Sequence, residues 1–198
     1  MNDFKNVVAR LLVATWMFMS AGMAVAGPIY HVNIDTAALG GGPAYLGLSF
    51  LSLVDGTGAS ATVTNLIGDL VGSPTATGSV SGTAPGPIVF TNAGGGGELV
   101  QAITLGGSFS FDVTVALGGG VDGTTFSWAI FDDTHYLGID GDLGSISLTP
   151  SAPQAGQVTF TPANEFSEVN AVPEPSSTAL LLIAALCLMA MARRPRIH

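Results

Sequence analysis

The chain has 198 residues, of which 47% are hydrophobic and only 10% charged, well below the roughly 25% charged fraction of an average soluble domain. Residues 11–192 contain no Lys or Arg, because the five basic residues all lie near the two ends: Lys5, Arg10, Arg193, Arg194 and Arg196. This excludes nucleic-acid binding, a Schiff-base lysine and a P-loop, since each of these needs a basic side chain.

Residues 1–26 predict a secretory signal peptide. Lys5 and Arg10 flank the start of an apolar run from Leu11 to Met19, and Ala24-Val25-Ala26 provides the small residues that signal peptidase accepts. We expect cleavage after Ala26 and export through the inner membrane. An uncleaved anchor or a buried N-terminal helix is the alternative, and the short apolar run and the A-x-A site disfavour it.

Residues 27–171 are predicted to form a single secreted all-β domain. Apolar and polar residues alternate there with the period of half-buried strands, in eight runs: 29–34, 45–51, 59–66, 98–105, 109–116, 124–132, 144–149 and 157–161. None of the domain shows helical spacing, and glycine-rich turns separate the runs. About eight or nine short strands favour one antiparallel β-sandwich, of jelly-roll or Ig-like type.

Glycine and proline residues predict the structure of two connections in this domain. Gly106-Gly107 lies between two strand patterns and predicts a two-residue hairpin, because such turns need positive φ angles. Residues 72–89 contain Pro74, Pro85 and Pro87 and are interpreted as either a mobile loop or a poor edge strand.

The domain's acidic residues include one cluster that resembles a cation site. Four aspartates within eleven residues could supply oxygen ligands to calcium: Asp132, Asp133, Asp140 and Asp142. The EF-hand spacing is absent, and Asp and Gly also form ordinary turns, so turn formation is favoured over metal binding. We therefore expect no metal and no cofactor, with these aspartates as weak calcium candidates.

Few other residues of the domain are of the types that enzymes use for catalysis. His31 and His135 are its only histidines, it has no cysteine for a zinc site, and no G-x-S-x-G nucleophile elbow occurs. Trp128 lies on an apolar strand, where core packing is favoured over stacking on a sugar. We expect no catalytic residue.

Residues 172–198 combine three features in a fixed order. Pro173-Glu174-Pro175 is a stiff, extended segment. Residues 178–192 are apolar and predict a transmembrane helix of about 22 Å, shorter than the roughly 30 Å hydrocarbon core. A basic tail follows, which would keep the last residues in the cytoplasm; it contains Arg193, Arg194 and Arg196.

This order resembles the PEP-CTERM sorting signal of Gram-negative bacteria that make exopolysaccharide. The resemblance implies that a membrane-embedded transpeptidase, exosortase, recognises Glu174 and cuts near the Pro-Glu-Pro motif. It also implies transient membrane anchoring and a mature protein at the cell surface or in the extracellular matrix. The segments 30–36, 109–114 and 131–133 resemble small PEP-CTERM proteins of unassigned biochemical role, which supply no catalytic residues.

The sequence thus favours an exported, non-enzymatic surface or matrix protein with a structural or adhesive role, associated with exopolysaccharide or biofilm. The expected partners are signal peptidase, exosortase, the membrane through residues 178–192, and exopolysaccharide. A calcium-assisted carbohydrate-binding module is the first alternative, which an exposed aromatic strip would favour, and a secreted hydrolase is the second. A buried Trp128 without a deep pocket would favour the structural role.

Overall fold

The computed structural model describes residues 28–52, 58–116, 123–151, 154–161 and 163–172. The predicted signal peptide with Ala26, the Pro173-Glu174-Pro175 motif, the helix 178–192 and the C-terminal arginines lie outside these residues.

Twelve β-strands make up the described part of the chain, which contains no α-helix. They are β1 (Ile29–Asp35), β2 (Gly42–Ser52), β3 (Ser60–Ile67), β4 (Leu70–Gly78), β5 (Val80–Ser81), β6 (Ile88–Thr91), β7 (Gly96–Leu105), β8 (Ser108–Ala116), β9 (Thr124–Phe131), β10 (Gly144–Ser151), β11 (Gln154–Phe160) and β12 (Ser167–Val172). Two 3-10 turns, Ala37–Leu39 and Ala93–Gly95, lie in connections.

The strands form two antiparallel six-stranded sheets, which confirms the predicted sandwich. Sheet A has the order β12-β1-β8-β3-β6-β5, and sheet B has the order β11-β10-β9-β2-β7-β4. The first eight strands pair in a nested way, β1 with β8, β2 with β7 and β3 with β6, which is the pattern of a jelly roll. β9 to β11 extend sheet B beyond β2, and β12 returns to the edge of sheet A beside β1.

Aromatic rings fill the space between the two sheets. Trp128 of sheet B is fully buried, and its ring lies edge-on to Phe111 of sheet A at a centroid distance of 6.0 Å. Phe126, beside Trp128, makes a similar edge contact with Phe90 of sheet A at 5.6 Å. Such edge-to-face pairs are favourable beyond the area that they bury. The prediction that Trp128 packs in the core is confirmed.

The eight strands predicted from alternation are all present. Four others lack this alternation: β6 and β12 were not predicted, and β4 and β5 fall largely within the segment 72–89, which is interpreted as either a mobile loop or a poor edge strand. Half of the segment 72–89, residues 72–78 and 80–81, belongs to β4 and β5, the outermost strands of the two sheets, so the edge-strand interpretation is confirmed for these residues. Pro74 lies within the register shift between Val71 and Thr75 of β4, a position where a missing N–H does not break the ladder.

The hairpin predicted at Gly106-Gly107 is wrong. β7 belongs to sheet B and β8 to sheet A, so the two glycines carry the chain from one sheet to the other. Thr36, which is fully buried, holds this crossing together. Its Oγ1 accepts hydrogen bonds from the N–H groups of Gly106 and Gly107, at 3.1 and 3.2 Å, and donates one to the carbonyl of Gly107. Two glycines between apolar runs suit both kinds of connection, because alternation does not say which sheet a strand joins.

The packing of Trp128 generates a stability prediction at Gly144. A Cβ at Gly144 would overlap Trp128 Cζ2 and lie 2.7 Å from Cε2, and the buried indole has no room to move. We expect Gly144→Ala to lower the free energy of unfolding by at least about 2 kcal/mol, as measured by urea denaturation. Gly41→Ala is the matched control, since a Cβ there meets no atom within 4 Å. Equal stabilities of the two variants would contradict the described contact between Gly144 and Trp128.

Candidate functional site

The two ends of the domain lie side by side. In sheet A, Ile29 at the start of β1 is the pairing partner of Val172 at the end of β12. Ile29 follows the predicted signal-peptide cut by two residues, and Val172 directly precedes Pro173. We call this the terminal end of the sandwich, and both predicted processing points adjoin it.

The opposite, distal end of the sandwich holds the connection from β1 to β2. There the N–H groups of Asp35 and Thr36 donate to the carbonyls of Phe166 and Gly107. β2 begins at this end, because Gly42 pairs with Leu105, the last residue before the Gly106-Gly107 crossing. β1 has seven residues and therefore separates the two ends by about 20 Å.

A second buried polar side chain, Asn92, joins the two sheets at the terminal end. Its side-chain oxygen accepts a hydrogen bond from the N–H of Ala59 before β3, at 3.2 Å. Its amide nitrogen donates to the hydroxyl of Thr124 at the start of β9, also at 3.2 Å. Asn92 is only 3% exposed, so these partners replace the water that it loses on folding.

A polar trio lies on the outer face of sheet A. His31 Nδ1 is 2.7 Å from Asp112 Oδ1, and the Asn65 amide donates to Asp112 Oδ2 at 2.7 Å. Because a carboxylate only accepts, His31 Nδ1 carries the hydrogen. Burial would raise the pKa of Asp112, but the hydrogen bonds from Asn65 and His31 and the attraction of the His31 ring outweigh it and lower that pKa below its ordinary value of 3.8. The hydrogen bonds of His31 among the described residues include no Ser or Thr hydroxyl, as the base of a catalytic triad would require.

The four calcium candidates are not brought together as a metal site. Asp132 Oδ1 accepts three hydrogen bonds, from the backbone N–H and the hydroxyl of Thr134 and from the N–H of His135, at 2.7, 2.8 and 2.8 Å. The hydroxyl bond, the Thr134 N–H and the His135 N–H lower the pKa of Asp132, in that order of importance. Within the described ranges, no group of three or more His, Cys, Asp or Glu residues could hold a metal ion. Asp132 therefore acts as a turn former.

The turn capped by Asp132 carries one ring of an aromatic patch that we define as Tyr45, Phe131 and Tyr136. Tyr45 and Phe131 are pairing partners on the outer face of sheet B, and their rings stack at 5.6 Å with an interplanar angle of 28°. Tyr136 forms a bridge with Phe131, and their rings meet edge-on at 6.2 Å. Tyr136 is 53% exposed, and the other two residues are partly exposed. The patch lies at the distal end, where β2 begins and β9 ends.

A cavity of about 250 Å³ opens between β3, β4 and the loop before β6, lined in part by Leu66, Leu70, Pro74 and Pro85. Small-molecule pockets usually measure roughly 300 to 1,000 Å³. The cavity is lined by no charged side chain, and the amide of Gln101 at its wall already donates to the carbonyls of Val71 and Ala102. It is a weaker candidate for a binding site than the aromatic patch.

Sequence reasoning did not single out the aromatic patch. A signal for Phe131 existed, because strict alternation in β9 turns residue 131 outward when Trp128 is inward. Tyr45, next to the buried Leu46, has the same outward parity on β2. Tyr136 lies beyond the strand, in a turn, where no periodic pattern applies.

The β-sandwich is followed directly in the sequence by the segment predicted to be a sorting signal. Comparison with protein families finds the PEP-CTERM protein-sorting motif at residues 171–197. The match supports a PEP-CTERM protein that is exported, sorted by exosortase and transiently anchored in the membrane before surface display. No curated protein and no solved structure matches the chain. In the part of the chain that the structure describes, no helix is long and apolar enough to cross a membrane.

The polar trio predicts a pH effect on stability. A carboxyl group whose pKa is lowered by folding stabilises the folded state above its unfolded pKa, and this contribution is lost as the pH falls through the folded pKa. We expect Asp112→Asn to be less stable than the wild-type protein at neutral pH, by at most about 1 kcal/mol, and the difference to shrink as the pH falls below 3.8. Urea denaturation over a pH series measures this. Asp133→Asn, at an exposed position, is the control, and a pH-independent gap for Asp112→Asn would contradict the assigned hydrogen bonds.

The geometry of Asp132 predicts a negligible effect of calcium. Its Oδ1 already accepts three hydrogen bonds from its own turn, and the described residues include no group of three or more His, Cys, Asp or Glu that could hold a metal ion. An ion that does not bind the folded state cannot raise its stability by mass action. We expect equal melting temperatures in millimolar Ca²⁺ and in chelator. A clear rise in calcium that Asp140→Asn with Asp142→Asn abolishes would restore the calcium site.

Proposed function

We propose that this chain is a structural or adhesive, non-enzymatic component of the cell surface or extracellular matrix, where it associates with exopolysaccharide and biofilm. The single observation that carries the proposal is the pairing of Ile29 with Val172. Because both processing points adjoin the terminal end, the domain can fold completely while either end is still attached to the membrane. The distal end then faces away from the cell.

The spacing of the sorting signal supports this order of events. Signal peptidase would cut after Ala26, and residues 178–192 would hold the chain in the membrane while the arginines stop its passage. Residues 173–177 form the whole connection between β12 and that apolar segment, a reach of at most about 18 Å when extended. Exosortase would therefore cut beside the folded edge of sheet A.

The interior of the sandwich supports a structural role over a catalytic one. Its largest buried side chains are aromatic and aliphatic and pack against one another across the sheets. The trio around His31 offers a base without a hydrogen-bonded nucleophile, which disfavours the hydrolase alternative. Carbohydrate binding is the second candidate function, because the aromatic patch is exposed, and the three hydrogen bonds to Asp132 Oδ1 favour a turn-forming role for Asp132 over a calcium ligand.

The sorting proposal is tested by intact-mass measurement of the exported protein. In cells that possess an exosortase, we expect mature protein to lack residues 1–26 and everything beyond the Pro-Glu-Pro region. Glu174→Ala should leave export intact and block the cut, so that unprocessed protein accumulates in the membrane fraction. Glu165→Ala, which removes an exposed acid of the domain, should be processed normally.

The arginines have a separate expected effect. Their replacement by Ser should let the apolar segment pass through the membrane, giving full-length protein outside the cytoplasm without exosortase processing. Mature protein that still ends at His198 in cells with an active exosortase would contradict the sorting proposal.

A further inference from the structure

The aromatic patch belongs to a longer apolar row across the outer face of sheet B. Val71 of β4 pairs with Ala102 of β7, Ala102 pairs with Tyr45 of β2, and Tyr45 pairs with Phe131 of β9. Tyr136 continues the row through its bridge to Phe131. With neighbouring strands about 4.8 Å apart, these five positions span about 19 Å. The row is long enough for several sugar rings of an extended chain.

The rings of the patch are held in place before any ligand arrives. Phe131 leans over Gly47, where a Cβ would lie 2.9 Å from its Cε1, so the glycine lets the ring approach the sheet. Asp132 closes the next turn with its three hydrogen bonds, and the N–H of Leu137 donates to the carbonyl of Ile130 at 2.8 Å. These bonds hold the turn that carries Tyr136. A fixed binding surface loses little conformational entropy when it binds.

Charge limits the chemistry of the occupant. Residues 27–172 contain twelve acidic residues and no Lys or Arg, and Asp132 and Asp133 lie in the turn between Phe131 and Tyr136. A polyanion such as a uronate polymer or a nucleic acid would be repelled. The hydroxyls of Tyr45 and Tyr136 make no hydrogen bond to other described residues, so they are free to bond a ligand's hydroxyl groups.

We propose that the aromatic patch binds an uncharged polysaccharide, with the C–H faces of pyranose rings packed on Tyr45, Phe131 and Tyr136. Aromatic side chains suit such a ligand because each offers an apolar face, and tyrosine adds a polar tip. The patch lies about 20 Å from the membrane-proximal end, so a tethered domain presents it outward. The outward orientation of the patch rests on the proposed surface display, whereas the binding itself does not.

Binding is tested with the unprocessed full chain, purified in a detergent without a sugar head group. The probes are the neutral hexasaccharides cellohexaose, laminarihexaose and N-acetylated chitohexaose, with an alginate oligomer as the anionic counterpart, all measured by calorimetry. We expect at least one neutral probe to bind with an affinity that high salt leaves unchanged, and alginate not to bind. Because no processing is involved, a failure of the sorting proposal does not affect the result.

Tyr45→Ala and Tyr136→Ala should each weaken the binding about tenfold or more, whereas Tyr45→Phe and Tyr136→Phe should keep most of it. Leu51→Ala is the matched control, because Leu51 is 54% exposed on the same face of β2 at the terminal end, and its binding should equal that of the wild-type protein. Amide chemical shifts of the wild-type protein give a second measurement, with changes expected at residues 45, 47, 131 and 136. The proposal is overturned if no neutral probe binds, if the alanine variants bind unchanged, if the shifts change elsewhere, or if alginate binds through the same rings.

Discussion

The packing of Trp128 between the two sheets is the interaction on which most of this structure depends. A domain without Lys or Arg has no strong ion pairs to draw on, and both of its described salt bridges involve histidine. Cohesion must therefore come from buried apolar area, and Trp128 provides the largest fully buried side chain. Its indole N–H donates to the hydroxyl of Ser167 at 2.9 Å, which satisfies the one polar atom of the ring and ties β12 to the core. Since β12 leads into the sorting signal, the same contact fixes where the chain leaves the domain.

Two buried polar side chains complete this arrangement, one at each end of the sandwich. Thr36 at the distal end binds both glycines of the crossing from sheet B to sheet A, and Asn92 at the terminal end binds groups from both sheets. A buried hydrogen bond adds only about 1 kcal/mol, but an unsatisfied partner costs more. These residues therefore mainly specify how the two sheets are aligned. If one sheet slid over the other, several buried polar groups would be left unpaired. The aromatic packing stabilises the sandwich, and Thr36 and Asn92 determine the alignment of its two sheets.

The fold was predictable from the sequence where strands have one buried and one exposed face. β8 is the clearest case, with Phe109, Phe111 and Val113 inward and small polar residues outward. β4 has no apolar alternation because both of its faces are largely exposed, so only its position in the proline-containing segment 72–89 suggested an edge strand. β12 was not predicted, and it buries only Ser167 and Val169. The sorting signal could be predicted because its residues are consecutive in the sequence. The trio of His31, Asp112 and Asn65 was not, because its members lie on three strands and meet only through the register of sheet A.

The distribution of charge explains how one small domain can combine a membrane-derived origin with a role away from the membrane. Anionic lipids repel a surface that has acidic residues and no basic ones, so after cleavage nothing in the domain's charge holds it to a bilayer. Transient attachment to the membrane therefore depends on the linear sorting motif at residues 171–197. The proposed association with polysaccharide depends on exposed apolar area, to which Tyr136 contributes with 53% of its surface exposed. Because a stacking contact between uncharged groups is not weakened by counterions, the proposed binding to an uncharged polysaccharide should not depend on ionic strength.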